Sequence, residues 1–224
     1  MQNIFPSRSC APLLPLAWLL LAGCGSSSDD ATDSQPCGPG FVTSVVSVTY
    51  GANAGFGQDK MPAVVMGPPH GEDSKLQGST DVVSLGKGGE IVLAFAGQGI
   101  DDAPGADFIV FENAFYAGGD PTKPYAEPGQ VSVSEDGVSW SEFPCQSQSY
   151  PYEGCAGWHA VLSNPDNGIS PLDPEAAGGE AFDLARLGIK RAKYVRIQDR
   201  STAGSGTSAG FDLDAIAVLH AACE

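Results

Sequence analysis

From Phe41 onward, apolar and polar residues alternate in short runs separated by Gly, Pro, Asn and Asp. Phe41–Tyr50 (FVTSVVSVTY) places Val42, Val46, Val48 and Tyr50 on one face of an extended segment. Comparable runs follow at Val82–Leu85, Glu90–Phe95, Asp107–Glu112, Gln130–Ser134, Trp140–Phe143, Lys193–Gln198 and Leu213–Leu219. Period-two runs between turn signals are the pattern of antiparallel sheets. They predict an all-β fold: one antiparallel β-sandwich over 37–224, with long Gly/Pro loops. The one helical pattern, Ala181–Leu187, amounts to one or two turns ended by Gly188. No 20–50-residue repeat interrupts this organisation.

Composition agrees. Gly (29) and Pro (17) make up about a fifth of the 224 residues, which disfavours long helices. Eleven Lys+Arg against 27 Asp+Glu leave a formal charge of −16. So acidic a chain lacks the basic face that a nucleic acid or an anionic membrane surface requires. With 42% hydrophobic residues it is not compositionally disordered.

The first 36 residues have a different character. Arg8 precedes an apolar stretch, Ala11–Ala22, of signal-peptide rather than membrane-spanning length. It runs into Leu21-Ala22-Gly23-Cys24, which resembles the lipobox of bacterial lipoproteins. The resemblance implies that residues 1–23 are removed and that Cys24 is lipidated, a stable membrane anchor when two or three acyl chains are attached. Gly25 rather than Asp after that Cys favours the outer membrane or cell surface, although a periplasm-facing position stays open. Residues 25–36 (GSSSDDATDSQP) form a polar tether reaching about 20 Å.

Beyond Cys10 and Cys24, four cysteines remain in an oxidising compartment, and four allow three connectivities. Cys145–Cys155, closing a short loop, and Cys37–Cys223, tying the ends of the domain, are the favoured pairs. Zinc is the alternative, but no CxxC or neighbouring His supports it.

Three segments resemble the discoidin type of galactose-binding-like sandwich, a jelly-roll. They are Val83-Ser84-Leu85-Gly86 leading into Glu90–Leu93, the run Val131–Trp140 (VSVSEDGVSW), and Tyr194-Val195-Arg196-Ile197. Asp214–Leu219 would be the closing strand. Independently of the resemblance, Asp136-Gly137 is a tight-turn dipeptide, with Trp140 expected to re-enter the core. The segments Gly105–Phe115 and Gly210–Ile216 also resemble parts of uncharacterised bacterial cell-surface proteins.

Acidic residues gather at the ends of these runs: Asp107, Glu112, Asp212 and Asp214, with Asp183 in the short helical segment. Oxygen-only donors from several loops suit Ca²⁺. The resemblance implies one structural Ca²⁺ near the closing strand, favouring Asp214, while solvated turn residues are the competing explanation. Asp212 and Asp214, two apart, share a face if the stretch is already extended. Tyr150, Tyr152 and Trp158 lie on or beside the Cys145–Cys155 loop, where aromatics either stack on sugar rings or cover the sandwich mouth. Tyr116 and Tyr125 form a second aromatic candidate.

Gly206-Thr207-Ser208-Ala209-Gly210 matches G-x-S-x-G, but it sits in a Ser/Gly loop before a strand, where a nucleophile elbow needs a strand before and a helix after. With no catalytic constellation singled out, the expectation is a lipid-anchored, non-catalytic module binding a glycan or another envelope component. A glycan-active hydrolase using strand-end carboxylates, and a structural or protein-docking lipoprotein, are the alternatives.

Overall fold

The computed structural model describes residues 38, 40–72, 75–95, 97–202 and 204–223. The expected signal peptide, the lipidated Cys24, the tether and Cys37 lie outside these residues, and with Cys37 so does the Cys37–Cys223 bridge. Gln35–Glu224 forms one compact unit.

Alternation builds a five-stranded antiparallel sheet in the order Ser141–Glu142, Gly129–Ser134, Tyr194–Asp199, Glu90–Ala94, Ser44–Thr49. Its inner face carries Val131, Val133, Val195, Ile197, Ile91 and Leu93, all fully buried. The outer face is polar: Arg196 bonds Glu142 at 3.2 Å and lies 4.5 Å above the Trp140 ring. Trp140 therefore stays half-buried on the outside of the sheet instead of re-entering the core.

The second sheet runs Gly40–Phe41, Ala215–Val218, Phe108–Phe111, Glu180–Phe182, again antiparallel. Its central strands are apolar without alternation, and both are buried along their whole length. The reason is a covering on each face. Phe108, Val110, Phe182, Ile216 and Val218 meet the five-stranded sheet in the main core. Ile109, Phe111, Ala215 and Ala217 pack outward against Val161 and Ala177 in a smaller cluster. Stacked Phe108 and Phe182, with ring centroids 5.2 Å apart, fill the middle of the main core. The two sheets packed on this core make an all-β sandwich, as the sequence pattern predicts.

Two local readings are corrected. A bulge shifts the register between Val45 and Ser47, so Val46 is the extra residue and is 54% exposed, off the face it was assigned. The Ala181–Leu187 stretch divides into the end of the Glu180–Phe182 strand and a 3₁₀ turn, Leu184–Leu187. Asp183 caps that turn by accepting from the Ala185 amide, and Gly188 closes it at φ 68°. No helix among the described residues is long and apolar enough to cross a membrane.

Candidate metal centre and aromatic cleft

Inward-facing positions in a strand recur every second residue. In Phe108–Phe111 they are Phe108 and Val110, and the next is Glu112. In Tyr194–Asp199 they are Val195 and Ile197, followed by Asp199. Glu180 precedes inward Phe182, and Glu127 lies two residues ahead of Gly129 in the register of Val131 and Val133. The core sequence of each strand thus ends in a carboxylate at the same end of the sandwich. Asp212 joins them from a short strand, Asp212–Leu213, paired with Val83–Ser84.

Glu112, Glu127 and Asp212 each offer an oxygen within 4.8 Å of the others, and all three are buried. Glu112 and Glu127 each have one oxygen fixed by a donor, and Asp212 has both. Asp212 N donates to Glu112 Oε1 at 3.3 Å, and Gly210 N to Glu127 Oε1 at 2.9 Å. Ser84 Oγ and Asn113 Nδ2 donate to Asp212. Glu112 Oε2 and Glu127 Oε2 are buried with no hydrogen-bond partner among the described residues. A buried carboxylate oxygen without a donor is costly unless something else compensates it.

The electrostatics agree. Burial, reinforced by Asp212, Glu127 and Glu180, holds the Glu112 carboxyl well above the usual carboxylate range. Burial and Asp212 push Glu127 up to about 8, and burial brings Asp212 to about 6. Three carboxylates buried this close together raise one another's pKa, and an acidic cluster of this kind could hold a metal ion.

A second acidic group, Asp102, Asp107 and Asp183, is also brought within 4.8 Å, and each of its carboxylates holds at least one donor, with both oxygens of Asp107 engaged. Fully buried Asp107 accepts from Ala103 N, Leu184 N and His220 Nδ1 at 2.8–3.0 Å. Lys190 bonds Asp102, and Ala185 N donates to Asp183. Asp214 belongs to neither group. Both its oxygens accept from the His70 amide, and burial raises its carboxyl to about 8. Asp212 and Asp214 part company because the chain changes sheets between them: Leu213 still pairs with Val83, whereas Ala215 pairs with Phe111. Of the five acids expected to bind metal, Glu112 and Asp212 meet in the unsatisfied centre, where Glu127 is the partner missing from the sequence reading.

The Cys145–Cys155 disulfide is formed. Beside it lies a cleft of about 410 Å³ lined by Trp158, His159, Tyr116, Lys75, Arg186 and Glu180 among others. Glu180 fixes its floor by accepting from the Gly157, Trp158 and His159 amides at 2.6–2.9 Å and facing His159 Nδ1 at 3.2 Å. Tyr150 meets both Tyr152 and Trp158 edge-on, at 6.3 and 5.8 Å between centroids. The three aromatics expected on this loop therefore form one group, of which Trp158 lines the cleft.

A smaller cleft of about 370 Å³ opens over the carboxylate centre, with Glu127 and Asp212 in its lining. Its wall is Tyr125 stacked on Phe115 at 5.1 Å, a pair held by the short hairpin Phe115–Tyr116 and Pro124–Tyr125. Ser208 lines this cleft, and the G-x-S-x-G segment forms no strand–turn–helix elbow there.

Fold and site together define an all-β sandwich with a buried carboxylate centre at its strand ends and two aromatic clefts beside it. The sequence matches no family model and no curated protein.

Proposed function

We propose that the chain is a bacterial cell-envelope lipoprotein, anchored through lipid on Cys24 and placed at the outer membrane or cell surface. Its β-sandwich is a non-catalytic module that binds a glycan or another envelope component. The discoidin-like segments, the lipobox-like Cys24 and the polar tether support that assignment, because the tether holds the domain close to the membrane it serves.

The observation that carries the binding reading is the Trp158 cleft. A half-exposed indole stands beside Tyr116 and His159 over a backbone pinned by Glu180 and by the neighbouring disulfide. A rigid aromatic platform with polar groups around it suits the apolar face and hydroxyl rim of a sugar ring. The cofactor in this reading is Ca²⁺ at Glu112, Glu127 and Asp212. Hard oxygen donors and carboxylates of mixed direction suit its flexible six- to eight-fold coordination better than the strict octahedron of Mg²⁺.

Three measurements test the reading. Glycan-array binding by the purified chain is expected to disappear with Trp158→Ala, and Ca²⁺ is expected to raise the melting temperature reversibly against a chelator. Metabolic labelling with palmitate that survives Cys24→Ser would reject the anchor.

A further inference from the structure

The carboxylate centre is built at the floor of the 370 Å³ cleft rather than sealed inside the sandwich. Glu127 and Asp212 are shared by the centre and the cleft lining, and Asn113, which bonds Asp212, lines the cleft as well. Glu127 and Asp212 are themselves buried but reach the cleft lining, and Tyr125 in the same lining is 41% exposed, so the cleft leads from the surface to the edge of the centre.

We propose that a Ca²⁺ ion in this centre binds ligand directly, and that the ligand is a neutral saccharide offering two vicinal hydroxyls. The inference rests on reading the centre as a cation site and adds what its open side does. Three carboxylates, each offering one oxygen to a common point, leave at least half of a six- to eight-fold shell unfilled. A pair of adjacent hydroxyls supplies two oxygens to one ion without bringing charge.

Charge selects this class over anionic ligands. Three carboxylates around one divalent ion keep a net negative charge, and the chain as a whole stands at −16. A second carboxylate or a phosphate would therefore be repelled where a polyol is not. The stacked Phe115–Tyr125 pair presents an aromatic face for the apolar side of the ring, and the hydroxyls of Ser79, Thr80 and Thr207 line the remainder of the cleft.

Saturation-transfer NMR on the full purified chain, with D-mannose, L-fucose and D-galacturonic acid as probes, tests this in Ca²⁺ and in EGTA. The expected result is transfer to mannose or fucose that disappears in EGTA, with less transfer to galacturonic acid. Tyr125→Ala is expected to lose the EGTA-sensitive transfer while keeping the rise in melting temperature with Ca²⁺. Because Tyr125 is partly exposed, its removal leaves the core intact.

A Ca²⁺-induced rise in melting temperature with no EGTA-sensitive transfer to either neutral sugar overturns the inference and leaves a purely structural ion. Absence of any Ca²⁺ effect on melting overturns the cation reading itself. Sugar transfer that is equal in Ca²⁺ and EGTA assigns binding to the Trp158 cleft alone.

Discussion

The Asp212 amide donates to Glu112 Oε1 at 3.3 Å across 100 residues of chain, while the other oxygen of the same carboxylate is buried without a donor among the described residues. The bond orients Glu112, whose carboxylate brings an oxygen within 4.8 Å of Glu127 and Asp212. Ordinary buried polar atoms find partners, and this unsatisfied oxygen belongs to a carboxylate cluster that could hold a metal ion.

Glu127→Gln and Glu112→Gln separate charge from shape. Each keeps an oxygen for its backbone donor, Gly210 N or Asp212 N, and takes away one carboxylate that an ion could draw on. Both variants are expected to melt at or above the wild-type temperature in chelator, because each removes a buried carboxyl whose folded-state pKa is raised. They are also expected to bind Ca²⁺ at least roughly tenfold more weakly, the loss incurred when even an outer partner of a metal is removed. Calorimetric titration and melting in Ca²⁺ against EGTA read both effects, and wild-type Ca²⁺ affinity in either variant would contradict the assignment.

How much of this was open to sequence reading depends on whether the strands hold their period. Glu112 follows Phe108 and Val110 without interruption, so the alternating pattern reaches it and its place at a strand end is legible. Glu127 obeys the same parity, but Pro128 and Gly129 intervene, and they look like a turn rather than the lead-in to Val131 and Val133. Asp212 and Asp214 were paired on the assumption of a continuous strand; the switch between sheets at Asp214 is set by tertiary packing and has no local signature. The bulge at Val46 is hidden for the same reason, because it depends on the partner strand Glu90–Ala94. Trp140 misled through its bulk: Arg196 on the same outer face of the sheet gives its ring a cation–π partner there.

Gly157 links the two sites. Its φ is +88°, and a Cβ there would lie 2.7 Å from the Glu127 carbonyl oxygen, 2.9 Å from the Phe211 ring and 3.3 Å from Glu112 Cγ. Its amide also donates to Glu180 Oε2 at 2.7 Å, under the Trp158 cleft. Gly157→Ala therefore meets both an unfavourable backbone region and backbone crowding, and is expected to cost about 2 kcal/mol or more. Urea denaturation checks the stability, and the same variant should show a weakened Ca²⁺ response because Glu112 and Glu127 are displaced together. A neutral substitution would mean that this backbone is free to move.

The hairpin at Asp136 provides a pH prediction away from the centre. Asp136 Oδ1 accepts from the Ser139 and Val138 amides at 2.7 and 2.8 Å, and those bonds lower its carboxyl from 3.8 to about 2. A depressed folded-state value means that the bonds stabilise the fold fully above the unfolded value and lose their effect as pH falls through about 2. Wild type should accordingly lose stability relative to Asp136→Asn as pH drops from 5 toward 2, so that the difference between them shrinks. Parallel urea melts across that range decide it, and a difference that stays constant with pH would remove Asp136 from the turn's stabilising contacts.

The Cys145–Cys155 bridge spans ten residues of sequence, and a closed loop of that size removes about 2–3 kcal/mol worth of freedom from the unfolded chain in the entropy model. Its second effect is local. Cys155 is buried, the Gln146 amide donates to Glu153 O inside the loop, and Tyr150 from the same loop packs edge-on against Trp158. Opening the bridge should lower global stability by about that amount and also release Tyr150 from the indole. The double variant Cys145→Ser/Cys155→Ser, made in a Trp140→Phe background so that Trp158 dominates the folded domain's emission, is expected to show a red shift before the main unfolding transition. Its glycan binding should weaken more than its Ca²⁺ response, because the loop borders the Trp158 cleft and contributes no carboxylate to the centre. Equal losses in both would instead tie the bridge to the fold as a whole.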